Sequence, residues 1–175
     1  MDIRPAGPGD VEALAALAAR TMRQAYAADH DAAQLERHIA DNLAPARLGE
    51  ELADPAFVTL LAHTGGRLAG YATLASGPAP ACVTGPDPIE LARIYVLREH
   101  HRRGAGSALL AAALTEARER RRRTMWLGVW DRNARALAFY RRWGFEDAGT
   151  NPFVFGGVEY SDLVLVRPVA DDDRP

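Results

Sequence analysis

The residues of this chain best suited to do chemistry fall between Glu90 and Phe145. His101-Arg102-Arg103-Gly104-Ala105-Gly106-Ser107 follows an apolar run and opens a helical pattern. Glycines at such a junction let a strand turn into a helix, whose first N–H groups lack intrahelical partners and attract anions. Asn133 and Tyr140 stand seven residues apart, two helical turns, and so share one helix face. An anion cradle beside a polar pair suggests an enzyme that holds a phosphorylated cofactor and donates a proton near it. Glu90 is an acid in a run dominated by Ile, Leu, Val and Tyr. It is either an exposed residue on a half-buried strand or a general base. Asn133 is either a helix N-cap or a ligand contact. Tyr140 is either a core aromatic beside Phe139 or a general acid.

The elements that must position these residues can be read from periodicity. Ile3 to Ala6 reads as a short first strand. Asp10 is expected to cap a helix whose apolar positions Val11, Leu14, Ala18, Met22 and Ala25 follow helical spacing. A second helix begins near Asp31 and buries Leu35, Ile39 and Leu43. A third starts at Pro45 and stops before Pro55. Phe57 to Ala62 and Leu68 to Ala75 read as strands joined by the hairpin signal Gly65-Gly66. Ser76 to Pro88 is a Pro/Gly/Ala-rich loop whose composition suits mobility, and Ile89 to Leu97 is the strand before the glycine turn. A helix over 105–122 carries Leu109, Leu110, Ala113, Leu114 and Ala117 on one stripe. Thr124 to Trp130 is a strand, 134–143 a helix ended by Gly144, and two last strands flank Gly156-Gly157. The whole reads as one domain over 1–170 with a fraying acidic tail over 171–175.

The glycine turn has competing readings. A nucleotide P-loop ends in Gly-Lys-Ser/Thr, and the chain has no lysine. A dinucleotide fingerprint needs a third small residue where Leu109 stands. The downstream residues favour a third reading. Asn133, Ala136, Phe139, Tyr140, Gly144 and Phe145 match the motif Asn-x-x-Ala-x-x-Phe-Tyr-x-x-x-Gly-Phe, and residues 89–145 thereby resemble the GNAT superfamily of N-acetyltransferases. The loop pattern of that family opens on Arg or Gln, where this chain has His101. Ile89–Val96, Trp126-Leu127-Gly128-Val129-Trp130 and Val154-Phe155-Gly156-Gly157…Asp162-Leu163 look more narrowly like the PaiA-type polyamine acetyltransferases.

The resemblance implies an α/β (α+β) fold: a mixed, mostly antiparallel sheet flanked by helices, with the strands from Ile89 and Thr124 parallel and splaying apart. It implies acetyl-CoA as co-substrate, with its pantetheine arm along the backbone of Ile94, Tyr95 and Val96. Its pyrophosphate would meet His101, Arg102, Arg103, Gly104, Ala105, Gly106 and Ser107, and Asn133, Ala136 and Tyr140 would complete the cofactor side. Tyr140 is then the acid for the departing thiolate and Glu90 the leading candidate base. Trp126, Gly128 and Trp130 alternate onto one strand face, where Trp126 and Trp130 are either core or an aromatic wall for a cationic amine. Tyr26, His30 and Tyr71 are further candidates for the acceptor side.

Bulk properties narrow the classes. A chain of 175 residues with a net charge of −2 has no global bias toward nucleic acid or anionic membrane. The run Arg120–Arg123 is expected to serve as the cationic end of a helix. Cys82 is the single cysteine, which excludes an internal disulfide and a cysteine-rich zinc site. No metal is expected. No leader-like or membrane-spanning run is apparent, so the expected location is the cytoplasm and the expected state a monomer or homodimer. Acetylation of a small amine, a polyamine first, leads the functional readings. Acetylation of protein N-termini or lysines, a non-catalytic acyl-CoA sensor and a nucleic-acid-binding protein using the arginine run are the others.

Overall fold

The computed structural model describes residues 1–170; the expected acidic tail lies outside the described residues. The chain order is β1 (Asp2–Pro5), α1 (Val11–Tyr26), α2 (Ala32–Asn42), α3 (Pro45–Ala53), β2 (Phe57–Thr64), β3 (Arg67–Ala75), β4 (Pro88–Val96), α4 (Ala105–Glu119), β5 (Thr124–Val129), α5 (Ala134–Arg142), β6 (Glu146–Phe155) and β7 (Val158–Pro168). The strands form one sheet in the order β1-β2-β3-β4-β5-β7-β6. Every neighbouring pair is antiparallel except β4 and β5.

Side-chain alternation along the central strands builds two cores. Leu60, Ala72, Leu74, Ile89, Met125 and Leu127 pack with Leu109, Leu110 and Leu114 of α4 and with Leu137 and Tyr140 of α5. On the other face Leu61 and Tyr71 pack with Leu14, Leu17, Leu35 and Leu48 of the first three helices. Both faces are covered, so β3 is buried over most of its length rather than alternating. Each fully buried leucine contributes about 1.5–3 kcal/mol.

The site depends on one departure from regular pairing. β4 and β5 pair only at Pro88–Thr124, Ile89–Met125 and Glu90–Trp126. Leu74 then faces Leu91 and Thr73 faces Arg93, which leaves Ala92 as a bulge in β4. A bulge bends its strand and adds twist. β5 meanwhile stays paired with β7 along its length, from Thr124–Pro168 to Val129–Leu163. Beyond Glu90 the two strands therefore part. Because the bulge also shifts the alternation, Ile89, Leu91, Ile94 and Val96 share the α4 side, and Glu90 and Arg93 share the other.

Several boundaries differ from the sequence reading for physical reasons. Asp10 stands at the N-cap position of α1 as expected, but its side chain bonds none of the helix N–H groups; its carboxylate accepts the Gly7 N–H at 2.8 Å and pairs with Arg4 at 2.7 Å. α4 ends at Glu119, before the arginine run. Arg121 takes φ 56°, its N–H donates to the Arg118 carbonyl, and the Arg122 N–H donates to the Ala117 carbonyl. This is a Schellman closure with arginine where glycine is usual. Arg120 and Arg123 pair with Glu116 and Asp87. The loop over 76–87 lies against the sheet: the Thr124 hydroxyl donates to the Pro86 carbonyl at 2.8 Å, and Cys82 packs against Gly149.

Candidate active site

The gap between β4 and β5 opens into a cleft of about 1000 Å³ that runs from the glycine loop to the β6–β7 hairpin. At one end Gly104 is the N-cap of α4 with φ 83°, a conformation glycine adopts at little cost. The first intrahelical bond at this end runs from the Ala108 N–H to the Gly104 carbonyl. The N–H groups of Ala105, Gly106 and Ser107 therefore have no helical partner, and all three residues line the cleft. A Cβ on Gly106 would meet only the Phe139 ring, at 3.8 Å. The protein's own packing does not require that glycine, but a ligand approaching the backbone would.

β4 supplies a second row of open backbone groups. The Leu97 N–H donates to the Ala69 carbonyl of β3 at 2.8 Å. Antiparallel pairing alternates, so the Val96 and Ile94 peptides point the other way, into the gap. The Val96 carbonyl is taken by the His101 ring at 2.8 Å. Ile94, Tyr95 and Val96 all line the cleft, as do His101, Arg102, Asn133, Ala136 and Tyr140. Arg103 is exposed beside them in the same turn, as Arg102 is. The Asn133 side-chain oxygen caps α5 by accepting the Ala136 N–H at 3.0 Å. Tyr140 is nearly buried, with Phe139 and Phe145 edge-on at 5.4 and 5.6 Å. Burial raises its phenol well above the ordinary value, so it keeps its proton at neutral pH.

The opposite end is acidic and aromatic. Glu90 and Trp126 are the last parallel pair and stand where the strands separate. Burial raises the Glu90 carboxyl above its usual range, partly offset by Arg93. Arg93 is itself held by Glu51 of α3 through two bonds of 2.6 and 2.9 Å. Breaking such a buried pair by removing one partner costs about 3–5 kcal/mol. Trp130 lies 5.2 Å from the His30 ring, which lies 4.5 Å from Phe155, and Phe155 stacks on His38 at 4.2 Å. The Tyr26 and Tyr95 hydroxyls approach to 3.4 Å. Asp162 of β7 faces Gly128 and is pushed up to about 6 by burial and then by the Asp131 charge.

Trp126, Trp130 and Tyr26 line the cleft; Tyr71 does not. Its ring is fully buried in the core beneath α1, so its assignment to the acceptor side is corrected. Sequence reasoning passed over Asp162, Arg93, His38 and Phe155 as site residues. Asp162 carried a usable signal, an acid entering the apolar run Leu163-Val164-Leu165-Val166. Phe155 and His38 meet only because the hairpin tip docks on α2. The Gln34 side chain donates to the Phe155 carbonyl and the Tyr160 hydroxyl at 2.9 Å each, and Gly156 abuts the Gln34 backbone, leaving no room for a Cβ.

Comparison with known proteins places this geometry. The acetyltransferase (GNAT) family matches residues 14–145. An uncharacterized N-acetyltransferase of Mycobacterium tuberculosis is 37% identical over 163 residues, covering 90% of this chain and 97% of that one. The PaiA N-acetyltransferase of Thermoplasma acidophilum, solved in complex with coenzyme A, has the same fold: TM-score 0.81 at 21% identity, over 95% of this chain and 98% of that one. A ribosomal-protein-alanine N-acetyltransferase of Brucella melitensis gives TM-score 0.65 at 26% identity, over 96% and 99%. With its splayed strands, open helix N-terminus and matching family segment, the chain belongs to the acetyltransferase (GNAT) family and is an N-acetyltransferase.

Proposed function

We propose that the protein acetylates a primary amine of a small, cationic molecule, polyamines first, with acetyl-CoA as donor and no covalent enzyme intermediate. The observation that carries this reading is the polarity of the cleft: free N–H groups at one end, and two carboxylates among aromatic rings at the other. The coenzyme fits the residues present. The Ala105, Gly106 and Ser107 N–H groups and Arg102 suit its pyrophosphate, and the outward peptides of Ile94 and Val96 suit its amide-bearing arm. When bound, acetyl-CoA supplies an activated thioester.

The chain's own groups do the rest. Glu90, in the cleft and made more basic by burial, takes the proton of the entering ammonium directly or through water. Tyr140, protonated at neutral pH, donates to the sulfur as it leaves. A thiol has a reference pKa near 8.5, below that of the raised phenol, so the transfer is uphill in isolation; the phenol acts as a hydrogen-bond donor to the charge developing on sulfur, and the proton passes as the C–S bond breaks. Backbone N–H groups of β4 in the gap suit the developing oxyanion. Trp130, Trp126 and Asp162 attract and orient the cation.

The hairpin docked on α2 supports a small acceptor over a peptide, since it walls the aromatic end of the cleft. Initial rates with acetyl-CoA against polyamines, amino acids, aminoglycosides and N-terminal peptides test the assignment. The expected result is the highest kcat/KM for a polyamine. A preference for peptides would replace this reading.

A further inference from the structure

His101 stands where the glycine loop begins, and its ring bridges three elements. Nε2 lies 2.8 Å from the Val96 carbonyl at the end of β4. Nδ1 lies 2.8 Å from Nη1 of Arg135, in the first turn of α5. A guanidinium can only donate, so Nδ1 must turn its lone pair toward Arg135. The ring proton then sits on Nε2 and is donated to Val96. Both neighbours demand the same neutral tautomer.

The position of each partner gives the bridge a purpose. Val96 and Arg135 both line the coenzyme end of the cleft. The Val96 carbonyl points into the gap where β5 no longer reaches it, and an unpaired buried carbonyl is costly. Arg135 would otherwise be a free long side chain at the start of α5.

We infer that His101 is a positioning residue: as the neutral imidazole it fixes the Val96 peptide and the Arg135 guanidinium at the coenzyme end of the cleft. Protonation would remove the acceptor and set a second cation against Arg135. Burial holds the ring's pKa down, against the Val96 bond, which raises it; of the charged groups acting on the ring, Arg135 from α5 and Arg98 from the turn before it lower it further and Glu99 from that turn raises it. This inference rests on the coenzyme reading of the glycine loop.

Substitutions separate the bonds. Gln can donate to Val96 and accept from Arg135. Arg can donate but cannot accept, and Ala does neither. Calorimetry with CoA near pH 7 should show His101→Ala and His101→Arg weakened about tenfold or more, the scale of a lost charge-assisted hydrogen bond. His101→Gln should recover most of that loss. Nitrogen-15 shifts of the imidazole should report a proton on Nε2 and none on Nδ1. On acidification to about pH 5.5 the wild type should lose more CoA affinity than His101→Gln, whose side chain does not titrate; the comparison cancels the titration of CoA itself. Thermal melts of each variant separate misfolding from lost affinity. Wild-type affinity in His101→Arg, or a proton on Nδ1, would overturn the inference. Gly106→Asp distinguishes the two levels. If it binds CoA unchanged, the coenzyme reading falls and takes this role with it. If it loses CoA while His101→Arg does not, only the role of His101 falls.

Discussion

Glu90, Tyr140 and Asp162 are polar groups that the fold holds partly out of water, and each consequence is measurable. Glu90 has a raised pKa, so its basic form is lost at a higher pH than for an ordinary glutamate as the solution is acidified. Glu90→Gln is expected to lower turnover at neutral pH by about 10²–10⁴ and to remove the acid limb of the rate profile, with CoA affinity intact. A profile that overlays the wild type would assign the proton to another group. Tyr140→Phe keeps the ring and its packing but deletes the donor. Turnover should fall about a hundredfold, with CoA affinity within a few fold and the melting temperature almost unmoved; turnover within about threefold would leave Tyr140 a packing residue. Asp162 opposes stability. Its folded pKa of about 6 exceeds the ordinary 3.8, so the native state keeps a proton that the unfolded chain releases between those values. Stability from that proton is complete below the window and lost as pH rises through it. Asp162→Asn should therefore melt higher than wild type at pH 7, with a gain that vanishes toward pH 4, while its KM for a polyamine rises more than for a monoamine. Equal melting at both pH values would contradict this. Glu90 and Tyr140 were legible in the sequence because an acid in an apolar strand and a two-turn spacing are local patterns. Asp162 entered the sequence reading only within a family motif; the same acid-beside-apolar pattern marks it, but its place in the cleft depends on Gly128 and Asp131, which come from elsewhere in the chain.

At the scale of elements, the two helices that frame the cleft end alike with different residues. α5 closes through Gly144 at φ 76°, with the Phe145 N–H donating to the Tyr140 carbonyl. α4 closes the same way through Arg121 at φ 56°. A non-glycine residue in that region is strained by about 1–2 kcal/mol, so Arg121→Gly should stabilise the protein by about 1 kcal/mol in denaturant titrations, the greater freedom of unfolded glycine taking back part. A loss of stability would mean that the arginine side chain contributes more than its strain. The Gly144 end could be read from sequence because glycine announces a left-handed residue. The end of α4 was misplaced by three residues because four arginines are good helix formers and nothing local marks the turn. Asp10 misled for a related reason: its type suits an N-cap, but a closer pairing with Arg4 and the Gly7 N–H claims its oxygens.

Across the whole molecule, the active cleft exists because two neighbouring central strands are held by different partners. β3 holds β4 along its length, β7 holds β5, and the bulge at Ala92 lets the pairs diverge after Glu90. The parallel, splayed pair of β4 and β5 followed from the family resemblance, whereas the order of the other strands came only from the fold; periodicity alone assigns strands but not their neighbours. The aromatic end of the cleft was half legible, since Trp126 and Trp130 alternate onto one face and both line it, whereas Tyr71 lies in the core because alternation along β3 does not reveal which layer covers it. The walling of the cleft by the β6–β7 hairpin came only from the fold. The central claim is direct transfer from acetyl-CoA to a small cationic amine within one ternary complex. Two-substrate initial-rate kinetics, varying acetyl-CoA at several fixed concentrations of a polyamine, tests it most directly. Intersecting double-reciprocal lines, with the mono-acetylated amine as product, are the predicted result; parallel lines, or no turnover with any polyamine, would contradict it.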